Sequence, residues 1–223
     1  MSFFARLLAD SGAARDGLTA APIIQACLRG QVSMPGYAAF LQEAYHHVRH
    51  TVPLLQACRK ALPARSRWLD DALDEYIEEE RGHDAWILDD LAACGLDPEQ
   101  ARCAAPGIAT EVMVAYAYDT IARRNPLGFF GMVHVLEGTS VSLALMAADR
   151  IQQALALPDA AFNYLRSHGT LDQLHTAHFA ALMDRIEEQH DQADITHAAQ
   201  VFYRLYGDVF RSLPVPAAAR ERA

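Results

Sequence analysis

The sequence predicts an all-α protein, one domain of seven helices. Three observations carry that expectation: apolar residues recur at alternating steps of three and four, capping residues stand beside helix-compatible prolines, and no alternating strand pattern bounded by turns occurs. The helices are read at 17–29, 35–61, 67–94, 98–123, 126–156, 159–189 and 192–212. Ser33 with Pro35 opens the second, a hydroxyl accepting an early N–H where proline costs no hydrogen bond. Pro53 lies inside that helix and is expected to kink it. Ser66 starts the third helix, and Gly95 ends it by taking the left-handed conformation past the last turn. Asp97-Pro98 opens the fourth, with a break expected near Pro106, and Asn125-Pro126 opens the fifth. The core is expected over about 17–212, with 213–223, "LPVPAAARERA", as a flexible tail.

At 223 residues, 52% hydrophobic and 21% charged, the chain has the composition of a compact globule and can bury a full core. A net charge of −9 with no lysine or arginine run argues against a nucleic-acid partner, whose phosphates need a basic face. Cys27, Cys58, Cys94 and Cys103 form no CxxC pair and no regular frame, so they read as buried thiols in a reducing cytosol. The N-terminus lacks the basic region and cleavage site of a signal peptide, and no stretch reaches about 18 apolar residues without a polar interruption. A cytoplasmic protein with no membrane partner is therefore expected.

The informative residues are polar ones at apolar positions. In 67–94 the inward stripe runs Leu69, Leu73, Tyr76, Glu80, His83, Ile87 and Leu91. Glu80 and His83 make a Glu-x-x-His step in "ERGH", although Glu79 is also one turn from His83. In 159–189 the stripe is Phe162, Leu165, His168, Asp172, His175, Phe179, Leu182 and Ile186. Its three polar members fall within about 40° of one another on an ideal helix. Glu137 sits alone in the apolar helix "FFGMVHVLEGTSVSLALMAA", where an unpaired charge would cost several kcal/mol or more, so a partner or a metal is expected beside it.

One inward histidine or glutamate is usually a satisfied core polar group. Six on three helices, namely Glu80, His83, Glu137, His168, Asp172 and His175, point to a shared metal centre. Carboxylate and imidazole without thiolate suit iron or manganese, and the core of a helical bundle is where dinuclear carboxylate sites are built. Of the six, Glu80, Glu137 and Asp172 are the carboxylates expected to bear directly on the chemistry, and Glu137 is a candidate bridge. His134, one turn before Glu137, is a candidate hydrogen-bond partner for it. Tyr37, Tyr45, Tyr76, Tyr116 and Tyr118 are candidate cavity walls. His178 lies about 80° off the ligand face. Arg81 and Asp84 are read as surface ion-pairing groups.

"ERGH", then Glu137 in "HVLEGTS", then "HGTLDQLH" resemble the non-heme diiron oxidases and oxygenases of the heme-oxygenase-like fold group, which also holds thiaminase II (TenA), the pyrroloquinoline-quinone synthase PqqC and the heme oxygenases. The resemblance covers about 35–212. It implies a seven-helix fold, often dimeric, with Glu80 and His83, the lone Glu137 and the His168-x3-Asp172-x2-His175 triplet as ligands. It also implies two non-heme iron ions, O2 and a small organic substrate in an apolar pocket, and an external electron donor.

Other readings stand beside this one. A ferritin-like centre would draw on Glu43-x-x-His46 and Glu187-x-x-His190. A heme oxygenase would take a proximal ligand from His46 or His50 in "YHHVRH". A TenA-type hydrolase would need a pocket cysteine, and a PqqC-like enzyme would use the cluster to bind substrate without metal. A non-catalytic regulator or metal-binding protein on this fold is the reading outside enzymology.

Overall fold

The computed structural model describes residues 1–216, with side chains throughout except at 171–174. The helices are α1 (Phe3–Asp10), α2 (Gly12–Thr19), α3 (Pro22–Leu28), α4 (Met34–Val48), α5 (Thr51–Ala61), α6 (Asp70–Glu79), α7 (His83–Ala93), α8 (Pro98–Cys103), α9 (Ile108–Arg123), α10 (Phe129–Leu155), α11 (Asn163–Asp184) and α12 (Gln189–Ser212), with 3-10 turns at Ala64–Leu69, Pro126–Gly128 and Asp159–Ala161. The all-α expectation holds, and no strand occurs among the described residues. The seven expected helices are divided into more segments, and each break has a local cause.

The 35–61 helix does not kink at Pro53. It ends at Val48 and restarts at Thr51, so Pro53 falls in the first turn of α5, where its missing N–H would have had no partner. The 67–94 helix is interrupted by Glu80, Arg81 and Gly82. Gly82 takes φ +83°, a conformation open to glycine at no steric cost, and α7 begins afresh at His83. Ser66 does not cap this stretch but lies buried within a 3-10 turn. Ser33, Asp97 and Asn125 do accept the early N–H groups of Gly36, Glu99 and Leu127, and Gly95 closes α7 at φ +76°.

At the centre, α10 packs against α11 and α12, with α3 and α9 also on its flanks. By length and composition Pro126–Leu155 is apolar enough to cross a membrane. Here it is the core helix of the bundle. Its apolar residues divide between two clusters. Phe129, Phe130, Met132 and Val135 join one with α5, α6, α9 and α12, whereas Ala144, Ala148 and Ile151 join another with α4 and α7. The same division recurs on α11, where Phe162 and Leu165 before the helix's middle belong to the second cluster and Phe179, Leu182 and Met183 to the first. Glu80 and His83 lie in the chain between Ile77 of the first cluster and Ile87 of the second, and His168 lies between Leu165 of the second and Phe179 of the first.

Phe3 and Leu7 of α1 are buried in the first cluster, so the core reaches beyond the expected start at 17. Leu213, read as the beginning of the tail, is also buried. Residues 217–223 lie outside the described residues. Cysteine burial is mixed rather than uniform: Cys58 is buried and its thiol donates to Pro126 O at 3.3 Å, but Cys103 is exposed.

Candidate metal centre

The break between α6 and α7 brings the first ligands together. Glu80 caps the C-terminus of α6 and His83 is the first residue of α7, so the two are not neighbours on one continuous helical face as their spacing predicts. The turn through Gly82 instead folds them onto each other, with His83 Nδ1 3.1 Å from Glu80 Oε2. His168 enters from α11. Glu80, His83 and His168 offer ligand atoms that all lie within 4.8 Å of one another.

Neighbouring groups fix these side chains. The carbonyl of Tyr164 lies 3.1 Å from His168 Nδ1, and a carbonyl can only accept, so Nδ1 carries the proton and Nε2 keeps its lone pair. Trp86 stacks on His83 with ring centroids 3.9 Å apart and meets His168 edge-on at 5.9 Å. Burial pushes the His168 imidazole below its ordinary pKa, toward the neutral form that coordinates metals. Burial alone would raise the Glu80 carboxyl. The His83 hydrogen bond and the nearby His168 outweigh it and hold the group below its usual value.

The helix that carries His83 also anchors the one that carries His168. Asp90, on α7 and fully buried, accepts the N–H groups of Asn163 and Tyr164 at 2.8 and 2.9 Å, capping the start of α11. Burial pushes its carboxyl up to about 6, against the pull of those two donors, so it remains ionised at neutral pH. Asp90→Ala is expected to destabilise the fold by about 2 kcal/mol, through the lost cap and two stranded N–H groups. Iron retention should fall with it. Thermal unfolding and metal analysis of this variant would check both, and an unchanged midpoint would discard the clamp.

Of the six expected ligands, then, three converge. Glu137 lines the same cavity as Glu80 and His168 but stands outside the tight group. His175 Nε2 lies 3.4 Å from Glu79 Oε2, one step outward from Glu80. The side chain of Asp172 lies outside the described residues. His134 does not serve Glu137 as expected: its Nε2 lies 3.3 Å from Ser11 Oγ, among Phe4, Phe179 and Tyr203.

Beside the cluster opens a cavity of about 180 Å³, walled mainly by apolar residues from Ile23 and Leu28 through Phe40, Leu54 and Met132 to Leu143, Leu165 and Phe210. Tyr37 and Tyr76 line it as expected, joined by Tyr164 and Tyr206, whereas Tyr45, Tyr116 and Tyr118 are not in its wall. Sequence reasoning missed His47, which also lines the cavity. It is 2% exposed, burial pushes its pKa to about 3, and its Nδ1 has no hydrogen-bond partner among the described residues. The signal available is "YHHVRH", in which His46 and His50 share a helical face and read as the candidates. Neither of those lines the cavity, and His50 Nδ1 instead lies 3.1 Å from the Tyr118 hydroxyl.

The ferritin-like alternative loses its extra ligands. Glu43 is held by the Gly107 N–H, 3.1 Å from each oxygen, and by the Thr110 hydroxyl, capping α9. His190 belongs to a cluster with Arg65 and Asp191.

Two imidazoles and one carboxylate with open positions form the donor set that suits non-heme iron(II), so the residues present fit an iron ion. Among solved structures the chain is similar to a domain of unknown function with a heme oxygenase-like fold from Shewanella denitrificans, at a TM-score of 0.83 and 22% identity over 92% of this chain and 89% of that one. A TenA homolog from Pseudomonas syringae gives a TM-score of 0.78 at 13% identity, covering 93% and 90%. Heme oxygenase-1 from the cyanobacterium Synechocystis, in complex with heme, gives 0.72 at 13% identity, covering 94% and 91%. The comparison with curated proteins returns no match. These likenesses define an all-α, heme-oxygenase-like fold. Residues 38–207 match the family described as iron-containing redox enzyme, and the chain belongs to that family.

Proposed function

We propose that this protein is an O2-dependent non-heme iron oxidase or oxygenase that acts on a small, largely apolar organic substrate. The observation that carries this reading is the convergence of Glu80, His83 and His168 beside an apolar cavity. Glu137 on the cavity wall, with His175 and Asp172 on α11, would complete a centre for two ions, iron rather than manganese being the better match to the family. Bound ferrous iron supplies the electrons and open coordination positions for O2 chemistry, with an external donor restoring the reduced state.

The chain's own part is positioning and exclusion of water. Leu54, Met132, Leu143 and Phe210 hold the substrate's apolar body away from solvent. His47, neutral and without a partner at Nδ1, offers a hydrogen bond to the substrate's polar group. His47→Leu is accordingly expected to weaken substrate binding by about tenfold while leaving iron content unchanged. Equal binding in a titration with the variant would remove His47 from the site. The Synechocystis structure contains heme, but the expected heme ligands His46 and His50 lie off the cavity wall here, and of the histidines in "YHHVRH" only His47 lines it. The non-heme reading therefore rests on the convergence of Glu80, His83 and His168.

The test is metal analysis after anaerobic loading with Fe(II), followed by oxygen uptake. About two ions per chain, reduced in Glu137→Ala and accompanied by O2 consumption, are expected for a dinuclear centre. One ion, indifferent to Glu137, would restrict the centre to Glu80, His83 and His168. No uptake of Fe(II) or Mn(II) would overturn the reading and leave a metal-free polar pocket.

A further inference from the structure

An apolar cavity is a poor path for a divalent cation, which would shed its water against carbon. On another side of the centre, carboxylates of α6 face imidazoles of α11. The ten residues of α6 carry six carboxylates, and their partners differ by face. Asp70, Asp74 and Glu78, four residues apart, pair with Arg67, Arg59 and Arg81. Glu75 and Glu79 face α11 instead, where Glu79 Oε2 lies 3.4 Å from His175 Nε2 and Glu75 Oε2 lies 4.0 Å from His178 Nε2.

The difference is chemical. A guanidinium is never a metal ligand, whereas an imidazole across from a carboxylate is half of a coordination site. The pairs are also graded in burial. Glu75 and His178 are 69% and 50% exposed, Glu79 and His175 are 49% and 19%, and Glu80 and His83 beyond them are 17% and 5%. Tyr76 stands beside the ladder, its ring 6.1 Å from that of His175 and 6.5 Å from that of His178. Exposed ion pairs of this type contribute little to stability, so holding α6 to α11 is a weak reason for two of them in register.

We propose that Glu75 and His178 form a transit site at which a hydrated divalent metal ion first binds, passing by way of Glu79 and His175 to Glu80, His83 and His168. At each step one carboxylate and one imidazole replace water on the ion, so the charge is never left uncompensated. The metal and the apolar substrate thereby reach the centre from different sides. This rests on the metal-centre reading above.

The experiment follows Co(II) uptake by metal-free protein, stopping aliquots with a chelator and measuring bound metal against time. Glu75→Gln with His178→Asn, both surface changes, should slow loading about tenfold while final metal content and thermal midpoint match wild type. Asp74→Asn, on the arginine-paired face, should load at the wild-type rate. Equal rates in the double variant overturn the proposal. A lower final content also overturns it, since the pair would then hold resident metal. If wild type binds no Co(II) at equilibrium, the metal-centre reading fails and the transit site with it.

Discussion

His168→Ala is expected to lower iron affinity by more than about a hundredfold and to abolish oxygen consumption. That is the loss reached when merely a group orienting a ligand is removed, and here a converging ligand itself is lost. The geometry singles this residue out. Its Nδ1 is committed to the Tyr164 carbonyl, which leaves the lone pair on Nε2, and the residue offers a ligand atom within 4.8 Å of those on Glu80 and His83. The fitting control is His134→Ala. That histidine is buried, sits on the core helix and has its pKa pushed to about 4 by burial, yet its ring nitrogen is engaged by Ser11. It should lose stability and keep iron, whereas His168→Ala should lose iron. Metal analysis and thermal unfolding of the two purified variants make the comparison. Full iron content in His168→Ala would place the centre elsewhere.

That contrast also shows what a sequence conveys about such a site. Period and polarity marked Glu80, His83 and His168 as inward, and the apolar members of both stripes, from Leu69 to Leu91 and from Phe162 to Ile186, are buried as spacing requires. The period could not reveal the helix break, because glycine at Gly82 is tolerated in a helical pattern and becomes a turn only when the two flanking segments bury against different clusters. It could not separate His47 from His46 either, since both are buried and only the packed cavity distinguishes them. Glu79 and Glu80 posed the same problem, which the structure divides: Glu80 meets His83 and Glu79 meets His175. His134 illustrates the opposite error, for one helical turn from Glu137 is close in register, yet the ring points to α1's end. Residues before 17 carried too short an apolar run to read as core, although Phe3 and Leu7 fill it.

The position of α10, and so of Glu137, depends on a glycine two turns earlier. A Cβ at Gly131 would lie 2.6 Å from the backbone nitrogen of Ala199 and 2.8 Å from the carbonyl oxygen of Ile195, both on α12. Backbone atoms cannot rotate aside as a side-chain end can, so α10 and α12 must separate. Overpacking of this kind costs about 3 kcal/mol. Alanine's better helix propensity returns about 1 kcal/mol, too little to reverse the sign. Gly131→Ala is therefore expected to destabilise by about 2 kcal/mol, a fall of about 4–8 °C in the unfolding midpoint for a chain of this size. Gly17, in α2, makes the same substitution a control: nothing lies within 4 Å of its would-be Cβ. Gly17→Ala should stabilise by about 0.5–1 kcal/mol through helix propensity and a less flexible unfolded chain. Opposite shifts in the two variants would tie the effect to the α10–α12 approach. If Gly131→Ala unfolds at or above the wild-type midpoint, the helices can part at no cost, and the close crossing does not set where Glu137 stands.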